Sequence, residues 1–144
     1  MNVDSINIRG FVRVYKNGEL AHEGNNVVVQ TGKYWIASRI AEAPSPTPNP
    51  MAYMALGTGT VSAVTGDTAL GNELARVGIP SSTWALNQAI YTGTFDAGVA
   101  TGALTEAGIF DSVSGGTMLA RYTFPVVNKD AADYVTIYWS IQVL

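Results

Sequence analysis

From Val135 to Val143 the chain alternates without a break. Val135, Ile137, Trp139, Ile141 and Val143 fall on one face, and Thr136, Tyr138, Ser140 and Gln142 on the other. A period of two marks a strand with one face in a core, and a run this regular is expected in the middle of a sheet. Ile6 to Tyr15 alternates as well, with its phase disturbed near Gly10 and Phe11, where a bulge at Gly10 fits. Lys16-Asn17-Gly18-Glu19 supplies the Asn-Gly pair of a type I′ hairpin turn, returning through Leu20 to His22. Between Thr105 and Pro125, two apolar runs, Ala107 to Phe110 and Met118 to Phe124, flank a Ser-Gly-Gly turn. Gly115 and Gly116 supply positive φ there, so the runs predict a second hairpin.

One segment breaks the period. TGKYWIASRIAEA, residues 31–43, places Trp35, Ile36, Arg39, Ile40 and Ala43 at spacings of three and four, with Thr31 available as N-cap. It predicts the one helix, which must end before Pro44 because the residue preceding a proline is pushed out of the α region. Residues 44–50 then carry Pro44, Pro46, Pro48 and Pro50 at every second position. Such a loop is extended and poor in backbone donors, which makes those prolines candidate partner-binding residues. After it come the strand-like runs MAYMAL, AIYTGTF, ALTEAGIF, MLARYTF and YVTIYWSIQVL. With no helix interleaved, the expected fold is mainly β: an antiparallel β-sandwich or jelly roll with one short helix at residues 31–43.

At 144 residues the chain suits a single domain spanning 1–144. Charged residues make up 13% of it, about half the usual share. A surface so poor in charge suits a protein largely covered by partners, although a plain Thr/Gly-rich sandwich has the same composition. The eight Lys and Arg residues lie singly and the net charge is −3, so no basic stripe argues for nucleic acid. There is no cysteine. The first residues, MNVDSINIRGF, lack the basic start and apolar core of a signal peptide, and no apolar run approaches the ~20 residues of a membrane span. A soluble protein without membrane contact is expected.

Candidate chemistry is sparse. LGTGT, residues 56–60, lacks the Lys-Ser/Thr of a P-loop and reads as a turn after a strand. His22 is the only histidine, beside Glu23, and one imidazole makes neither a common metal site nor a recognisable triad. Asp67, Glu73, Asp96, Glu106 and Asp111 leave a carboxylate pair open, as a small glycan hydrolase needs, but Asp67 and Asp96 sit beside glycine-rich turns that Asx side chains cap. Glu106, next to a small residue and near a glycine, suits partial burial with Arg76 or Arg121 as a structural ion pair. No catalytic residue, metal or cofactor is assigned, and no enzyme is expected. Of the three tryptophans, Trp139 belongs by its phase to the core and Trp35 to the helix face. Trp84, in SSTWALNQ, is the one free to meet a partner or a sugar.

Taken in order, LGTGT at 56–60, DTALGNELAR at 67–76, TEAGIFD at 105–111, GTMLARYTFP at 116–125, NKD at 128–130 and VTIYWSI at 135–141 resemble a group of small tailed-bacteriophage virion proteins. The group includes capsid decoration or cement proteins and tail or fibre components. The resemblance covers most of residues 56–144 and rests on order and spacing, not on catalytic motifs. It implies a β-sandwich that assembles on the particle in the host cytoplasm and resides in the virion. The major capsid protein is its first expected partner and other virion proteins are the next, with homo-oligomers expected. A tail-fibre or tail-tip module touching the host surface through Trp84 is the alternative.

Overall fold

The structure is a computed structural model that describes residues 5–41, 49–80 and 82–144. In chain order its elements are β1 (Ile8–Lys16), β2 (Glu19–Asn25), β3 (Val27–Val28), α1 (Gln30–Ala41), β4 (Tyr53–Gly57), β5 (Glu73–Gly78), β6 (Ser82–Ala85), β7 (Gln88–Phe95), β8 (Gly102–Phe110), β9 (Met118–Lys129) and β10 (Val135–Val143). They form two five-stranded antiparallel sheets. Sheet A has the order β2-β1-β10-β7-β6 and sheet B the order β3-β9-β8-β4-β5. The fold is a β-sandwich with a single short helix. It is built from four hairpins, β1–β2, β4–β5, β6–β7 and β8–β9, with the chain changing sheets between them.

β10 lies at the centre of sheet A, and the face that its alternation assigns to the core, Val135 through Ile141, is buried. The turn at Asn17 and Gly18 has φ of 51° and 83°, the left-handed pair that a type I′ turn requires. Gly115 and Gly116 are likewise left-handed, at 58° and 73°, in the β8–β9 turn. The bulge falls elsewhere than expected. β1 pairs with β10 without a shift through Gly10 opposite Ile141, while the β1–β2 register shifts between Val14 and Tyr15. Gly10 is glycine for a different reason: a Cβ there would lie 1.5 Å from Asn26 Oδ1, the atom that accepts the Trp139 indole N–H at 2.9 Å. Phe11 therefore keeps its outward phase and lies under the Arg13 guanidinium.

The helix begins at Gln30, one residue before the expected start, so Thr31 is not its N-cap. The Lys33 N–H donates to Val29 O, and the Thr31 hydroxyl donates to Met118 O of β9. Gly32 is the buried residue of α1, because a Cβ there would meet the Leu119 carbonyl at 2.2 Å. Residues 42–43 of the expected helix, and Pro44, Pro46 and Pro48, lie outside the described residues.

Sheet B is buried on both faces at β8, where every residue from Leu104 to Phe110 is buried. The inner face, with Leu104, Ala107 and Ile109, meets residues of sheet A in the main core. The outer face forms a second small core of Val29, Ala55, Leu70, Phe110 and Met118. Leu70 comes from the long connection between β4 and β5, residues 58–72, which folds back over the sheet. What holds that connection down is the most polar feature of the interior.

Candidate functional site

Glu106 projects from the outer face of β8 and is fully buried, with 0% exposure. An isolated carboxylate cannot stay charged in such a place. Its oxygens are instead saturated. Oε1 accepts the backbone N–H groups of Gly59 at 2.8 Å and Asn72 at 2.7 Å, and Oε2 accepts that of Gly71 at 2.8 Å. Arg121, diagonally placed on neighbouring β9, donates through Nε at 3.1 Å and Nη2 at 2.8 Å to Oε2. The same guanidinium reaches the connection directly, through Nη1 to Asp67 Oδ2 at 2.8 Å and Nη2 to Val61 O at 2.9 Å. One carboxylate and one guanidinium thus clamp both ends and the middle of residues 58–72.

The approach is close. A Cβ on Gly57 or Gly59 would lie 2.6 or 2.5 Å from Glu106 Oε1, so the LGTGT turn carries glycine to admit a carboxylate and not a phosphate. Burial opposes the charge on Glu106, but the N–H groups of Asn72 and Gly71, the Arg121 guanidinium and the Gly59 N–H outweigh it and hold the carboxyl below its ordinary value. For Arg121, burial opposes the charge and the two carboxylates outweigh it, so its affinity for the proton rises further.

Arg76, the other expected partner of Glu106, is placed elsewhere. It lies on β5, two strands from β8, with β4 between them. It pairs with Glu73 at 2.7 Å, donates to the carbonyls of Ser112 and Gly115, and stacks 3.7 Å above the centre of the Phe110 ring. Asp67, which its sequence context marks only as a turn cap, is a further, half-buried member of the cluster. Its expected cap is present, with Oδ2 accepting the Val64 N–H, and the same oxygen is the one that Arg121 reaches. Asp111 accepts the Thr117 N–H and the Ser112 hydroxyl across the β8–β9 turn. Lys129, 1% exposed, donates its ammonium to the Asp96 carbonyl. Each of these groups is engaged in holding backbone.

No family model, no curated protein and no solved structure matches the chain. Its function has to be read from its own surface. Among the described residues no cluster of three or more His, Cys, Asp or Glu residues is arranged to hold a metal ion, and no helix is long and apolar enough to cross a membrane.

One concavity among the described residues is apolar. Direct cross-strand partners share a face, so the pairs Ile8–Val143, Ile141–Ala89 and Ala89–Trp84 place Ile8, Val143 and Trp84 on the inner, core-facing side of sheet A. At this end α1, through Trp35 and Ile36, stands where the opposing sheet would be. Between them remains a groove of about 400 Å³. Trp84 is 78% exposed at its margin, and Leu86, in the β6–β7 turn, is 93% exposed. Trp35 closes the helical wall, its indole N–H donating to Asn49 O beside the exposed Pro50. Tyr91 lies at the floor, where burial pushes its hydroxyl pKa up.

Proposed function

We propose that this protein is a non-enzymatic structural component of a bacteriophage virion, a capsid cement protein that binds and stabilises the major-capsid lattice. The observation that carries the reading is how the chain uses its polar groups. The one fully buried carboxylate among the described residues is saturated by Gly59, Gly71, Asn72 and Arg121, and so is spent on folding a connection onto the sheet. What reaches the surface is poor in charge, and at the groove it is aromatic and aliphatic. An apolar surface on a rigid sandwich suits a protein that adheres to an assembly. Binding repeated over a shell stabilises the assembled state even where each site is weak.

A tail-fibre or tail-tip module is the second reading. Trp84, an exposed flat ring beside a groove, favours it, because such rings stack on the apolar faces of sugars. Copy number separates the two. Quantitative mass spectrometry of purified particles is expected to find hundreds of copies, in a fixed ratio to the major capsid protein. A few copies per particle would move the protein to the tail, and absence from the particle would remove both readings.

A further inference from the structure

We infer that the groove between α1 and the β6 edge of sheet A is a self-association surface, in which two copies related by a two-fold axis each insert Leu86 into the other's groove. Three observations meet at this place. First, among the described residues the core is unfinished here. Trp84 and Val143 belong to the core-facing side of sheet A, yet Trp84 is 78% exposed and Val143 45%. Second, Leu86 is held at φ 53°, a left-handed conformation that a leucine adopts only against steric cost, and it projects almost wholly into solvent. The β6–β7 turn sets that backbone, but a turn does not call for an apolar side chain, and this one makes little contact with its own chain.

Third, the β6 edge is lightly guarded. β2 carries Glu19, Glu23 and a register shift, and β5 carries Glu73 and Arg76. β3 and β6 have no charge, no proline and no register shift, and shortness is their one guard against association. β6, Ser82–Ala85, is the longer of the two and lies beside the groove, which makes it the edge open to association.

The occupant follows from the layout and the charge. Projection and hollow lie side by side, since Leu86 itself lines the groove, so a two-fold axis places the projection of each copy over the hollow of the other. None of the described lining residues is charged, so identical surfaces meet without like-charge repulsion. Arg39, over the Trp35 ring, belongs to the rim. Covering Trp84, Leu86, Val143 and the groove walls removes roughly 600 Å² per copy, near the lower bound of about 1,200 Å² in total for a stable interface. The surface stands independently of where the protein resides.

Sedimentation of the full chain from low micromolar concentration upward tests it. A concentration-dependent dimer is expected. Leu86→Asp should weaken it by roughly tenfold or more, as loss of a central buried anchor does. Val126→Asp, at an exposed position on β9 of the other sheet, should leave it intact. The circular dichroism of both variants is expected to match the parent, since neither residue is buried. A parent that stays monomeric, a dimer that survives Leu86→Asp, equal weakening by Val126→Asp, or a trimer or larger ring would each overturn the two-fold arrangement.

Discussion

Two surfaces of this sandwich are left uncovered by the opposing sheet, and the chain treats them in opposite ways. On the outer face of sheet B, the exposed strip of β8 and β9 is closed by residues 58–72, with Leu70 supplying apolar cover and Glu106, Arg121 and Asp67 supplying attachment. At the end of the inner face of sheet A, α1 closes the strip only in part and leaves Trp84 and Leu86 in solvent. The first solution needs buried charges because a long connection has many backbone donors to satisfy. The second needs none, because the strip contributes only side chains. A polar cover belongs to the fold itself, and an apolar gap is free to be closed from outside.

The largest test of this contrast removes the clamp. Glu106→Gln leaves Arg121 short of a buried counter-charge and weakens the acceptor for three backbone donors. A loss of about 3–5 kcal/mol in urea unfolding is expected. Proteolysis should cut first within residues 58–72. Replacing Glu106 and Arg121 together by Leu and Met is expected to recover only part of the loss, because the N–H groups of Gly59, Gly71 and Asn72 would remain buried without an acceptor. Full recovery would mean that the connection is held by Leu70 and not by charge.

Acid sharpens the same comparison. The folded pKa of Glu106 lies below its ordinary value. Its contribution to stability is therefore complete above the unfolded value, about pH 4.3, and is lost as pH falls through the folded value. The gap in urea midpoint between the parent and Glu106→Gln is expected to be constant near neutrality and to close in acid. A gap that persists unchanged at pH 2 would show that the charge contributes nothing.

The two faces also differ in how far the sequence shows them. β10 and the β8–β9 hairpin are legible because their alternation or turn residues are local, and the central place of β10 follows from its regularity. That Glu106 is withdrawn from solvent is legible from its small neighbours, although its burial is complete and not partial, and its partner is not legible. Choosing Arg121 over Arg76 depends on strand order, which puts one on the adjacent strand and the other two strands away. β5 and β6 escape a reading by period because, as short edge strands, they have little buried face to impose one. Gly10 misleads for the same kind of reason: it keeps the core phase of β1 with no bulge, and what excludes a side chain there is Asn26, which is distant in sequence and reaches the site from beside β3. The freedom of Trp84 is legible in SSTWALNQ, yet the groove beside it depends on where α1 comes to rest.

The smallest expected effect is the one that separates fold from use at the open end. Leu86→Gly relieves the left-handed strain but raises the entropy of the unfolded chain, and the two leave a net gain of about 0.5–1 kcal/mol in the stability of the monomer. Urea unfolding at concentrations below dimer formation measures it. The same substitution removes the side chain that enters the partner's groove, so stability of the monomer and association should move in opposite directions. At the clamped face no such opposition is expected, because every group there serves the chain that carries it. If Leu86→Gly destabilises the monomer, then Leu86 packs on its own groove, and the open end is as self-contained as the closed one.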